Sequence, residues 1–178
     1  SALSKSGLIR PLTAPESAQL ESIKSNFSSA DAQAVRNREQ VTRHDVKAIE
    51  YFLHGKLQDT SLKDLLPWIH FGLTSEDINN IAQAIALRDS RDAIFLPALN
   101  RLINSLSEFA KKTRALPMLA RTHGQIAVPT TLGKEFAVYI ARLKTAHDEI
   151  GAHRFEAKLT GAVGNFNALQ SAVPQMDW

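Results

Sequence analysis

Phe95, Leu99, Leu102, Leu106 and Phe109 recur at spacings of 4, 3, 4 and 3, the period of one face of a helix and not of a strand. The near-heptad spacing predicts packing along another long helix. Leu132, Phe136, Tyr139 or Ile140, Leu143 and Ile150 carry the same period from Pro129 to about Arg154. Seven prolines and eight glycines in 178 residues leave long stretches uninterrupted. No hairpin signal flanks alternating apolar residues, so strands are not expected as a main feature. The chain therefore reads as all-α, with two long heptad-like helices belonging to a larger bundle. Such stripes are hard to cover within 178 residues. Partner helices, from further sequence or from other subunits, are implied.

The remaining elements follow from caps and breakers. An opening helix is expected around 15–26 and the next from Thr42, whose hydroxyl can accept from the Asp45 amide. Val41 and Val46 occupy staple positions, and Val46, Ile49, Leu53 and Leu57 form the expected buried stripe. A short helix is placed from about Leu62 to Phe71, ended by Gly72. Thr74-Ser75-Glu76-Asp77 starts another that runs to about Thr113, with a bend near Pro97. Leu116 to Val128 reads as a loop, Pro129 as the first turn of the next helix, and Gly161-Ala162-Val163-Gly164-Asn165 as a turn.

Composition narrows the function classes. Hydrophobic residues make up 44% and charged residues 22% of the chain, the balance of a globular protein. The 21 basic and 18 acidic residues are interspersed and leave a net charge of +3, so nucleic acid is not the expected partner. The absence of cysteine removes disulfides, thiolate catalysis and Cys-based zinc sites, and suits a reducing, cytoplasmic setting. No apolar run approaches the roughly 20 residues that span a bilayer, so no membrane is expected. The start, Ser1-Ala2-Leu3-Ser4-Lys5, has neither an initiator Met nor a signal-peptide core. A chain that begins inside a longer gene product is the expectation.

Three polar helix starts carry the candidate chemistry. At Thr42-Arg43-His44-Asp45, free helix N–H groups and the Arg43 fork suit a phosphate or carboxylate, His44 can donate to an anion, and Asp45 can accept from a sugar hydroxyl. Thr74-Ser75 offers two hydroxyls and unpaired amides to a small carboxylate. Taken alone, each start is explained more readily by capping, with Arg43 and His44 solvated, than by ligand binding. His70 either points to the same place or satisfies a terminal carbonyl. His123, in Arg121-Thr122-His123-Gly124-Gln125, either is a structural or solvated loop histidine or donates a proton to a leaving group near neutral pH, with Thr122 and Gln125 to orient it or bind substrate. There is no GxxxxGKS phosphate loop, no GxGxxG and no HExxH, and His147 and His153 lie six apart on a helix. No metal site is expected.

These residues, in this order, resemble the adenylosuccinate lyase family of the fumarase/aspartase superfamily. The matching strings are Thr42-Arg43-His44-Asp45-Val46-Lys47-Ala48, Thr74-Ser75-Glu76-Asp77-Ile78-Asn79-Asn80, Arg121-Thr122-His123-Gly124-Gln125 and Gly161-Ala162-Val163-Gly164-Asn165. Gly124 and Gly133-Lys134-Glu135 are closer to this family than to fumarase or argininosuccinate lyase. The resemblance implies β-elimination of fumarate from adenylosuccinate to give AMP, and the same cleavage of the succinylated carboxamide ribotide in purine synthesis. It implies no cofactor. It implies His123 as the general acid, Arg43, His44 and Asp45 as nucleotide contacts, and Thr74 and Ser75 as the succinyl-carboxylate pair. It further implies a cytoplasmic homotetramer with a core of long helices and sites shared between subunits.

By the same resemblance, residues 1–72 correspond to an N-terminal helical domain and 73–178 to the first long helices of a central bundle. The base-bearing glycine-serine-serine loop, an N-terminal Arg-Tyr pair and a C-terminal helical domain have no counterpart in the chain. A fragment inactive by itself is the expectation. Two other readings compete: a non-catalytic helical interaction module, and a related fumarate-releasing lyase such as argininosuccinate lyase.

Overall fold

The computed structural model describes residues 2–178; Ser1, the first residue of the expected 1–72 domain, lies outside them. The fold is helical with one small two-stranded sheet. Two compact units form, one from the residues up to Asn80 together with Lys158–Trp178, the other from Ile81–Ala157. Among the described residues no helix is long and apolar enough to cross a membrane.

The first unit begins with α1 (Ala2–Lys5) and α2 (Ala14–Ser25), the latter close to its expected bounds. Thr13 and Glu16 close a capping box on α2. The Arg10 guanidinium takes Glu16 with two bonds (2.8 and 2.9 Å) and reaches Asp64 Oδ2 at 2.8 Å. Arg10 thereby holds the Glu16 carboxyl far below the usual carboxylate range.

α3 (Ser29–Thr42) is a helix that apolar periodicity does not signal, because its sequence is polar on nearly every side. Its start is nevertheless written locally: Ser28 and Asp31 form a second capping box. Because α3 runs on to Thr42, the following helix cannot begin there. α4 spans Asp45–Leu57 and is capped by His44. Val41 belongs to the last turn of α3 and is 84% exposed, so no staple forms with Val46. The buried face of α4 is Val46, Ala48, Phe52 and Leu57. Leu53 is half-buried and Ile49 exposed, because α3 packs on α4 and Phe27 meets Phe52 edge-on at 5.8 Å. The expected Leu62–Phe71 helix is a shorter 3₁₀ stretch, Lys63–Trp68, with Pro67 inside it.

α5 (Ser75–Ser90) begins in this unit, and its buried anchor is polar. The Asp77 side chain is 0% exposed. Its oxygens accept from the amides of Thr74 (3.0 Å), Thr160 (3.2 Å) and Gly161 (3.1 Å), and lie 2.9 Å from Lys158 Nζ. Burial pushes this carboxyl up; the Thr74 amide, Lys158 and the Thr160 amide outweigh it, and the net direction is down. Asn80 reinforces the junction by bonding both the amide (2.7 Å) and the carbonyl (3.1 Å) of Lys158. Gly161 and Gly164 turn the chain at φ of +78° and +79°, and α8 (Asn167–Ala172) follows. α8 lays Leu169 where any side chain at Gly72 would sit.

In the second unit α5 passes through a π-helical turn, Arg91–Phe95, into α6 (Leu96–Lys112). The irregularity expected at Pro97 thus falls just before it. A proline ring crowds the carbonyl four residues earlier, here Ala93, and the wider turn relieves that clash. α7 (Leu132–Ala152) packs along α6, with Phe109 and Phe136 rings 4.8 Å apart. Arg91 donates to the carbonyls of His153 (2.6 Å) and Ile150 (3.4 Å), placing a cation at the C-terminal end of α7. The Phe95–Phe109 stripe divides: Leu99 and Leu106 are half-buried and Phe95, Leu102 and Phe109 exposed, while the buried residue of α6 is Ile103, outside the expected stripe.

The segment 116–128, read as a loop from the sequence, is largely a hairpin. β1 (Pro117–Thr122) pairs antiparallel with β2 (Gln125–Thr131), Pro117 opposite Thr131 and Thr122 opposite Gln125, with an irregularity between Leu119 and Arg121. Alternation fails as a signal here because most of both strands is exposed. Pro129 lies in β2 opposite Leu119 and does not open a helix. α7 starts at Leu132 instead, where the Thr131 hydroxyl accepts from the Lys134 amide.

Gly133, in the first turn of α7, faces the end of α6. A Cβ there would collide with the Ala110 carbonyl oxygen and stand 2.7 Å from backbone atoms of Arg114. Those are backbone obstacles that no rotamer change relieves. We expect Gly133→Ala to destabilise the fold by about 1–3 kcal/mol in urea denaturation; an unchanged midpoint would show that the α6–α7 contact is not close-packed.

Candidate active site

The starts of α4 and α5 meet in the first unit. His44 adopts extended backbone (φ −153°, ψ 118°) before α4, and its Nδ1 accepts from the Lys47 amide at 3.2 Å. That bond requires the proton to sit on Nε2. Nε2 lies 3.1 Å from the Ser75 hydroxyl oxygen, so the imidazole donates to Ser75 and leaves the serine's own proton free for another acceptor. Asp45 Oδ1 accepts from the Val46 amide at 2.7 Å and Oδ2 from Asn79 Nδ2 at 2.9 Å. These two bonds, the amide first, hold the Asp45 carboxyl below its ordinary range.

His44, Asp45 and Ser75 are therefore brought together. Arg43 is the αL residue that ends α3 (φ 54°), exposed and with no bond to another described side chain. Thr42 does not cap α4: its hydroxyl donates to the His44 carbonyl at 3.0 Å and accepts from the His44 amide. Thr74 gives its amide to Asp77, and among the described residues its hydroxyl makes no hydrogen bond. Asn79, which bonds Asp45, is not among the candidate site residues that the sequence singles out. It lies four residues after Ser75, hence on the same helix face, and that spacing was the available signal.

His70 sits beside this region and pairs with Glu50, Nδ1 to Oε2 at 2.6 Å. Lys47 Nζ takes Glu50 Oε1 at 2.8 Å. Burial pushes the Glu50 carboxyl up, but Lys47 and His70 prevail and it lies below its ordinary range. Neither sequence alternative for His70 included this partner from α4.

His123 lies in the second unit, at the tip of the hairpin. It and Gly124 have φ of +51° and +75°, the pair of left-handed residues that a two-residue type I′ turn demands. Glycine fills such a position without strain and histidine does so more readily than most residues. The imidazole is exposed, flanked by Thr122 and Gln125, which pair across the turn.

Two capped helix starts presenting hydroxyls and amides, and a histidine on a stiff turn, are parts suited to anion binding and proton transfer. The sequence profile described as "Lyase" matches residues 3–178, and the chain belongs to this lyase family. The adenylosuccinate lyase of Haemophilus influenzae is 42% identical over 171 residues, covering 96% of this chain and 38% of that protein. That of Vibrio cholerae is 43% identical over 160 residues, covering 89% and 35%. The chain thus spans little more than a third of the length of these curated relatives. Among solved structures, the β-carboxy-cis,cis-muconate cycloisomerase of Acinetobacter calcoaceticus matches with a TM-score of 0.73 and 24% identity, over 97% of this chain and 40% of that one. That likeness is one of fold.

The Asn79–Asp45 bond is testable by itself. Asn79→Ala should raise the Asp45 carboxyl toward its ordinary value in a carbon-detected NMR titration, since one of its two main bonds is gone. An unmoved titration would mean that the two helix starts are not joined there.

Proposed function

We propose that this chain is part of an adenylosuccinate lyase, which eliminates fumarate from adenylosuccinate to leave AMP and performs the same cleavage on the succinylated carboxamide ribotide. The observation that carries the reading is the 41–43% identity to adenylosuccinate lyases over about nine-tenths of the chain. The 3.1 Å contact between His44 and Ser75 supports it, because it joins the nucleotide contacts to the carboxylate pair.

In this reading Arg43, His44 and Asp45 hold the nucleotide, Arg43 by charge and Asp45 through hydroxyl groups. Thr74 and Ser75 hold a carboxylate of the succinyl group at the start of α5. As a base removes the proton beside that carboxylate, negative charge grows on its oxygens. Helix amides and hydroxyls already in place stabilise the charge without reorganising. The C–N bond then breaks, the C=C bond of fumarate forms, and His123 supplies the proton that the departing nitrogen takes. No cofactor enters these steps.

The exposed Phe95, Leu102, Phe109 and Tyr139 on the long helices support a homotetramer joined through them. We assign residues 1–72 to an N-terminal helical domain and 73–178 to the start of a central bundle, and the enzyme to the cytoplasm.

The test is fumarate release from adenylosuccinate by the gene product that contains this segment. Release from argininosuccinate in its place would move the chain to the sister activity, and release from neither would end the lyase reading. For His123, asparagine separates proton transfer from backbone geometry, since it too tolerates the left-handed turn. His123→Asn is expected to lower kcat by about 10²–10⁴-fold with KM nearly unchanged. A raised KM with normal kcat would make His123 a binding residue.

A further inference from the structure

The pair formed by Asp77 and Lys158 has no part in the steps above, yet it borders the start of α5. Asp77 Oδ2 takes the Thr74 amide, so a full negative charge sits within the first turn that is to receive a carboxylate. An uncompensated carboxylate there would repel a second one. Lys158 Nζ stands 2.9 Å from Asp77 Oδ1 and also donates to the Gly161 carbonyl at 2.6 Å. The remaining bonds of Asp77 go to the Thr160 and Gly161 amides, so its oxygens are turned wholly inward. Among the described residues the amides of Ser75 and Glu76 and the Thr74 hydroxyl are left without acceptors.

We propose that Lys158 is a positioning residue for the carboxylate end of the substrate. It cancels the charge of Asp77 and ties the Thr160–Gly161 turn to α5, so that the Ser75 and Glu76 amides meet an incoming carboxylate with no net like charge beside them. It touches neither substrate nor reacting atoms. The inference rests on the reading of Thr74 and Ser75 as the succinyl-carboxylate pair.

Binding measurements on the full-length enzyme separate the possibilities, with fumarate and AMP titrated independently by calorimetry. Lys158→Met should weaken fumarate binding roughly 5- to 20-fold, leave AMP binding within about twofold, and raise the KM for adenylosuccinate while kcat changes little. Lys158→Arg, which keeps the charge, should restore fumarate binding. Because Lys158 meets the charge of the buried Asp77, folding of each variant is checked first by circular dichroism, and where Lys158→Met does not fold, Lys158→Gln, which keeps a donor for Gly161, gives the same readings. Unchanged fumarate binding, or equal losses for fumarate and AMP as a merely structural role would produce, overturns the proposal. A wild-type enzyme that releases no fumarate from adenylosuccinate would instead refute the lyase reading, and that assay is run first.

Discussion

The Asp77 carboxylate is the interaction on which the first unit depends. It joins positions more than eighty residues apart in the chain, because the start of α5 and the Thr160–Gly161 turn share its two oxygens. An ionised carboxylate taken out of water is costly unless its lone pairs are filled and its charge is met. Three amides and Lys158 meet both conditions. Without them the segment after Ala157 would be held by Asn80, by Leu169 against Gly72 and by the buried Val173.

Which atoms do the capping decides what a helix start leaves free. At α5 the Asp77 carboxylate takes the Thr74 amide and the Thr74 carbonyl takes the Asp77 amide, so the threonine hydroxyl is not consumed. At α4 the cap is the imidazole of His44, a residue that seldom holds that position, and this frees both Thr42 and Arg43 from it. Read as sequence, capping and anion binding compete for the same hydroxyls. Read as structure, the caps come from other groups.

The long helices and the helical class were legible because a 3.6-residue period needs only local sequence. α3 was not, since its polar surface leaves no stripe, although Ser28 and Asp31 announce its beginning. The hairpin was hidden by exposure: strands that bury little do not alternate, and the His123-Gly124 turn lacks the Asn-Gly or Asp-Gly pair usually sought. The candidate residues were legible as strings. Their ties, Ser75 to His44 and Asn79 to Asp45, were not, because each joins positions more than thirty apart and depends on how α4 and α5 are packed.

The hairpin gives His123 a physical setting that a loop would not. A two-residue turn closed by antiparallel pairing fixes the backbone on both sides of the imidazole, with Thr122 and Gln125 directly opposed. A group that must deliver a proton to one atom loses rate when its direction wanders, and a flexible loop would spend part of its time misaimed. The left-handed conformation at position 123 is the local cost of that rigidity, and Gly124 shares it at no steric expense. A side chain at the tip of a two-residue turn gains a fixed direction at the expense of backbone comfort. For the proposed reaction, that fixed direction is what a histidine offers at a turn position that otherwise favours asparagine or aspartate.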